Sequence, residues 1–145
     1  MEKQPSNIAL TVKLIKHPEI HTVWPKVKQY IETARPWGYG DHTIEQIELE
    51  LLVKDSWILL VAEDENKELH GAATFTFIDY PNDRVAFMTY IGGHLVTYPE
   101  TNSQMERILK LHGATKIQGF VRKSMARYAR LYGYRERGIV VETKL

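Results

Sequence analysis

The segment Trp57-Ile58-Leu59-Leu60-Val61-Ala62 is apolar at every position and is bounded by charge on both sides, Lys54-Asp55 before it and Glu63-Asp64-Glu65 after it. It is far too short to span a bilayer, which takes about 20 apolar residues. An unbroken apolar run of this length suits a strand buried on both faces in the middle of a sheet. The chain around it is therefore expected to supply neighbouring strands and covering helices.

The neighbours follow at once. Glu63 to Glu68 is a polar turn, and Leu69 to Tyr80 is a second strand that closes a hairpin. Gly71 inside it marks a bulge or a close backbone approach. Pro81-Asn82-Asp83 is another turn, and Arg84 to Ile91 the next strand, so three strands form a meander. Upstream, Ile8 to Ile15 alternates apolar and polar residues and reads as a strand with one buried face. A helix is expected from about Thr22 to Ala34, with Pro25 in its first turn, where a missing N–H costs least, and with Pro36, Gly38 and Gly40 ending it. Thr43 and Gln46 have capping-box spacing at the start of a second helix with Ile44, Ile47 and Leu51 on its buried stripe. Glu45, Glu48 and Glu50 point in diverging directions on that helix, which favours a solvated face over a metal site.

The last third repeats the logic. Thr101 and Gln104 again have capping-box spacing, and a helix from about Asn102 to His112 is closed by Gly113. Lys116 to Val121 is a fifth strand, Ser124 opens a short helix stopped by Gly133, and Arg135 to Lys144 reads as a final strand. The order is β-α-α-β-β-β-α-β-α-β, an α/β (α+β) fold with a mixed, mostly antiparallel sheet. The 145 residues contain no repeat or dividing linker and are expected to form one domain, 1–145.

Composition narrows the chemistry. The absence of cysteine excludes a disulfide framework, a thiolate metal site and a cysteine nucleophile, and suits a reducing, cytoplasmic setting. The net charge of +1 hides an asymmetry: residues 1–100 carry 9 Lys/Arg and 15 Asp/Glu, residues 101–145 carry 10 and 3. A basic C-terminal third suits a solvated face, a polyphosphorylated cofactor or nucleic acid. Phe120, Tyr128, Tyr132 and Tyr134 have the helical spacing of core residues, which disfavours nucleic acid.

The element order and the closing run Arg127-Tyr128-Ala129-Arg130-Leu131-Tyr132-Gly133-Tyr134-Arg135-Glu136-Arg137-Gly138 resemble the GNAT superfamily of acyl-CoA-dependent N-acyltransferases, with Gly133-Tyr134 in place of the family's Gly-Phe. Gly71-Ala72-Ala73 is similar to the family's third strand. Together with Val23-Trp24-Pro25, Gly92-Gly93 and the closing Gly133-Tyr134 it also resembles small GNAT-like proteins encoded by tailed phages. The resemblance implies that the fourth and fifth strands run parallel and splay, with the helix between them as crossover. It also implies that acetyl-CoA (or another acyl-CoA) lies in the gap and that an amine is the acceptor. Cofactor contacts are then expected at Tyr90, Ile91, Gly92 and Gly93 and at the helix start near Asn102, Ser103 and Gln104, with Arg107 and Arg122 reaching the phosphates.

The chain departs from the family in two places. The Gln/Arg-x-x-Gly-x-Gly/Ala phosphate signature is replaced by Gly92-Gly93-His94-Leu95-Val96-Thr97-Tyr98-Pro99-Glu100-Thr101-Asn102, and the two glycines read as a bulge that bends the fourth strand. The family's proton-donating tyrosine falls on Ala129, which moves the expectation to Tyr128, with Tyr132 behind it. His94 is the first candidate for the general base, followed by Asp79 and His42. An alternative from another class is a GNAT-fold module without catalysis that binds a protein partner, in a phage particle or against a host factor.

Overall fold

The computed structural model describes residues 9–38, 41–95 and 98–145. Five strands lie side by side in chain order: β1 (Thr11–Ile15), β2 (Ile58–Glu63), β3 (Leu69–Asp79), β4 (Arg84–Gly93) and β5 (Lys116–Gly119). The first four are antiparallel, and β4 and β5 are parallel. The crossover between that parallel pair is α3 (Pro99–Leu111), as a parallel connection requires. Helices α1 (His17–Ala34) and α2 (Ile44–Glu48) precede β2, and α4 (Lys123–Leu131) follows β5. The fold is a mixed, mostly antiparallel sheet flanked by helices.

The apolar run that opened the reading forms β2 in the interior of the sheet, and its side chains alternate between two cores. Leu59 and Val61 pack with Ile20, Trp24, Val27 and Ile31 of α1 and Ile47 of α2. Leu60 and Ala62 pack on the opposite face with Met105 and Leu109 of α3.

Helix α1 starts five residues earlier than expected, at His17. Pro18 is the proline of its first turn, and Pro25 lies inside the helix. The interior proline is tolerated because Pro25 and His21, whose carbonyl loses its partner, are both on the exposed face. Ile8 and Gly40, expected at the ends of β1 and of the helix, lie outside the described residues. The capping box of α2 is present in full: Gln46 N–H donates to Thr43 Oγ1 (3.2 Å), and Thr43 N–H donates to Gln46 Oε1 (2.9 Å). A wide π turn, Leu49–Val53, continues that helix.

The second capping-box expectation is corrected. Helix α3 begins at Pro99 with Tyr98 as its cap residue, and Thr101 Oγ1 donates to the Tyr98 carbonyl (2.9 Å). Gln104 instead serves β1: Val12 N–H donates to its Oε1 (2.8 Å), and its Nε2 donates to the Leu10 carbonyl (3.1 Å). It thus satisfies backbone groups on the sheet's outer strand.

The final strand is also corrected. Residues 135–145 form no ladder and are exposed at every position. Strand β5 pairs over four residues only, so little ordered edge stands beside the tail. A strand without a ladder partner has nothing to hold it.

Candidate functional site

The site originates in one extra residue. Thr74 pairs with Tyr90 and Phe75 with Met88, so Thr89 is a β-bulge in β4. A bulge shifts the side-chain alternation by one. Met88 accordingly lies in the α3-side core and Tyr90 in the α1-side core, although they are two residues apart. The hydroxyls of buried Thr74 and Thr89 bond to each other (2.6 Å), and Thr89 Oγ1 donates to the Thr74 carbonyl (2.9 Å), which holds the bulge. At the same point the parallel ladder ends: Met88 opposite Gly119 is its last pair. Beyond it β4 continues to Gly93 while β5 stops, so the two strands part.

The bulge is therefore at Thr89 and not, as expected, at Gly92-Gly93, which pair in register with Ala72 and Gly71. The glycines have a different cause. A Cβ on Gly92 would lie 2.2 Å from the Tyr30 carbonyl oxygen of α1, and one on Gly93, whose φ is +73°, 2.4 Å from the His70 carbonyl oxygen. Helix α1 sits directly on the end of β4 because no side chain intervenes. Gly71 is likewise a close approach, next to a register shift that leaves His70 unpaired in the β2–β3 ladder.

An open cleft fills the space where the strands part. Its walls include Tyr30 of α1, Tyr90 to His94 at the end of β4, Asn102, Ser103 and Arg107 of α3, Arg122 at the cap of α4, and Tyr128 of α4. The sequence-derived candidates Tyr90, Ile91, Gly92, Gly93, His94, Asn102, Ser103, Arg107, Arg122 and Tyr128 thus all border one cleft, and Gln104 does not. The backbone expectation for Asn102 to Gln104 also changes. Because the helix starts at Pro99, Asn102 N–H is taken up by the Tyr98 carbonyl (3.2 Å). The N–H groups left in the first turn are those of Glu100 and Thr101.

Several side chains suit a bound molecule. Asn102 is buried and donates from Nδ2 to Glu106 Oε2 (3.1 Å), while its Oδ1 has no donor among the described residues. A buried acceptor without a donor is costly, so this atom fits an N–H of a ligand. The Arg122 guanidinium lies 5.2 Å from the Trp37 ring centroid, bridging the start of α4 and the turn after α1. Tyr134 packs near α3, and burial and the Glu106 carboxylate push its phenol up to about 12. Burial, with Tyr128 and the Glu100 charge adding to it, also raises the Tyr132 phenol.

The two histidine candidates separate. His94 is exposed at the far end of β4, its ring stacked on Tyr98 with centroids 5.6 Å apart and its N–H bonded to the His70 carbonyl (2.8 Å). It lies six residues past Met88, roughly 15–20 Å along an extended chain. His42 is held close to the bulge. Its N–H and its Nδ1 meet the hydroxyl of Tyr90 at 3.3 and 3.0 Å, its carbonyl accepts from Arg35 (3.2 Å), and its ring meets Trp57 edge-on at 4.8 Å. Asp79 is at the opposite end of the sheet and is engaged by Arg84 (2.9 and 3.0 Å).

His42 borders a second, smaller pocket with Glu50, Trp57, Tyr80, Phe87 and Phe120 among its walls. Both cavities share Phe87, Thr89, Gln118 and Phe120, so they meet where β4 and β5 part. Sequence reasoning did not find this pocket, because its residues come from six separate stretches of chain. The π turn that carries Glu50 and the run that begins at Trp57 were the local signals.

No family model and no curated protein matches the chain. Solved structures do. A protein from Clostridium acetobutylicum described as a predicted acetyltransferase, solved with acetyl-CoA, matches at 15% identity and TM-score 0.60, covering 94% of this chain and 96% of that one. An aminoglycoside acetyltransferase from an uncultured soil metagenomic sample, in complex with sisomicin, matches at 12% identity and TM-score 0.65, with coverage of 94% and 96%. A ribosomal-protein-alanine N-acetyltransferase from Brucella melitensis matches at 13% identity and TM-score 0.57, covering 94% and 100%. At these identities the likeness establishes architecture alone: the chain has a GNAT-like mixed α/β fold.

Proposed function

We propose that this chain is an acyl-CoA-dependent N-acyltransferase that moves an acetyl or related acyl group onto an amine. The observation that carries the reading is the meeting of two cavities at the Thr89 bulge. One is long and bordered by basic side chains, the other short and aromatic, so a donor and an acceptor can approach one point from opposite sides.

The residues present fit a CoA in the long cleft. The β4–β5 ladder ends at Met88, and the edge of β4 beyond it, from Tyr90 through Ile91 and Gly92 to Gly93, would lie along an extended amide-bearing arm. Asn102 Oδ1 would accept from that arm, with Ser103 beside it, and Arg107 and Arg122 would meet the phosphates. When bound, acyl-CoA supplies an activated acyl thioester. Tyr128 would hold the proton that a thiolate leaving group needs. His94 is too far along β4 to act as base at the bulge, and that role falls to His42. In the tautomer whose Nδ1–H donates to Tyr90 Oη, Nε2 would be the ring nitrogen that takes the proton released as the amine bonds to the acyl carbon.

The test is amine-dependent release of free thiol from acetyl-CoA, with the acetylated amine identified by mass. Thiol release that requires both protein and amine, and that falls about 10²–10⁴-fold in Tyr128→Phe, is the expected result. No transfer to any amine, together with no CoA binding, would overturn the reading.

One observation favours a second reading, a GNAT-fold module, phage-encoded or otherwise, kept for binding a protein partner. Pro99 and Glu100 occupy the first turn of α3, where the family places a glycine-rich phosphate loop, while Gly92 is explained by packing on α1 and Gly93 by its positive φ and the close approach of β3 at His70 and Gly71. A protein that binds a partner but neither CoA nor amine would meet that description.

A further inference from the structure

The two cavities carry opposite charge. Arg107, Lys110, Arg122, Arg130 and Arg135 border the long cleft. The short pocket has one carboxylate, Glu50, and neither lysine nor arginine among its described wall residues. The uneven charge of the chain therefore has a spatial counterpart, a basic cleft and a pocket with one carboxylate that meet at Phe87, Thr89, Gln118 and Phe120.

The walls of the short pocket define its ligand further. Trp57 is its buried floor, tilted 36° to the Tyr90 ring at 6.2 Å, and Phe87 and Phe120 meet edge to face at 5.6 Å. Tyr80 stands at the rim and is half exposed. Aromatic faces attract cations and flat apolar groups alike. Glu50 is anchored by Ser56 Oγ and, at 3.3 Å, by Lys54 Nζ. Both contacts, with the hydrogen bond from Ser56 foremost, hold its carboxyl below the usual range, so it is ionised at neutral pH. A ligand carboxylate would meet that charge, whereas a ligand ammonium would be drawn to it.

We infer that the short pocket takes an arylalkylamine-type cation: a primary ammonium on a flat apolar body that carries no carboxylate. Its role as the acyl acceptor rests on the transferase reading. Its capacity to bind the cation does not, and the two are tested apart.

The full chain is titrated calorimetrically, without CoA, with three probes of one shape: 2-phenylethylamine, 2-phenylethanol and phenylalanine. The amine is expected to bind at least tenfold more tightly than either of the others. Glu50→Gln keeps a hydrogen-bonding partner for Ser56 and should bring the amine down to the level of the alcohol. Tyr80→Ala, at an exposed position, should weaken amine and alcohol together by several-fold. Urea midpoints of both variants, unchanged from the parent, exclude unfolding as the cause. Equal binding of the three probes, binding by none, or a preference for the amine that survives Glu50→Gln would overturn the inference. Failure of CoA to bind in a separate titration would end the transferase reading and leave the cation pocket intact.

Discussion

Replacing Gly92 by alanine tests why this chain has a double glycine where β4 meets α1. The added Cβ would lie 2.2 Å from the Tyr30 carbonyl oxygen, 2.8 Å from its carbon and 3.3 Å from the Ala34 methyl. The two nearest atoms belong to the α1 backbone, so no side-chain rotation relieves the overlap and the helix must lift from the sheet. Overpacking of this kind costs about 1–3 kcal/mol, and backbone on both sides puts it at the upper end. Alanine restricts the unfolded chain and returns about 0.4–1 kcal/mol. The net loss is about 2 kcal/mol, or roughly 4–8 °C in Tm for a domain of this size. Urea unfolding followed by tryptophan fluorescence measures it, since Trp24 and Trp57 are both in the α1-side core. Gly138→Ala is the control: nothing lies within 4 Å of its Cβ position, and its stability should stay within about 0.5 kcal/mol of the parent. If Gly92→Ala is as stable as Gly138→Ala, close packing is not the reason for the glycine, and a role in holding a ligand gains ground.

Other expectations follow from single contacts. Gln104→Ala removes two hydrogen bonds to β1 and should cost about 2 kcal/mol, near 1 for each, in the same urea assay, while CoA affinity stays unchanged. Thr43→Ala removes the cap of α2 and should cost about 1 kcal/mol. The hydrogen bond from the Trp24 indole, with Lys28 also contributing, depresses the Glu48 carboxyl. A carboxyl depressed on folding stabilises above its unfolded pKa of about 4.3 and loses that contribution as pH falls through the folded value. Between pH 5 and 3 the urea midpoint should therefore fall less in Glu48→Gln than in the parent. Arg107→Ala and Arg122→Ala should each weaken CoA binding by about 1.5–3 kcal/mol, the scale of a charge-assisted contact, read by calorimetry.

Much of the sheet was legible because its signals are local. The apolar run at Trp57 and the turns at Glu63 and Pro81 determine β2 to β4 with no knowledge of the rest of the chain. The parallel β4–β5 pair was implied by the family resemblance, with the helical pattern between the strands as its crossover. What was not legible depends on partners distant in sequence. Gln104 has the spacing of a capping residue, but its amide bonds to Leu10 and Val12, more than 90 positions away. Pro25 resembles a first-turn proline, and only the placement of Ile20 in the core shows that the helix has already begun. Residues 135–145 have a strand-like pattern without a ladder partner. At the site, the cleft residues were recognisable from the family resemblance. The bulge at Thr89 was not, because a threonine inside an apolar strand gives no sign that the register shifts there. The Glu50 pocket assembles from the loop before α2, the π turn after α2, Trp57 just before β2, β3, β4 and β5, and no short window contains it.

The central claim is that the gap opened at Thr89 holds an acyl-CoA, and the most direct measurement is a calorimetric titration of the chain with CoA and acetyl-CoA at two salt concentrations. The account expects one weak site per chain, affinity that falls as salt rises because Arg107 and Arg122 meet the phosphates, and further loss in either arginine variant. No heat of binding up to millimolar ligand, or tight binding indifferent to salt and to both substitutions, would contradict it.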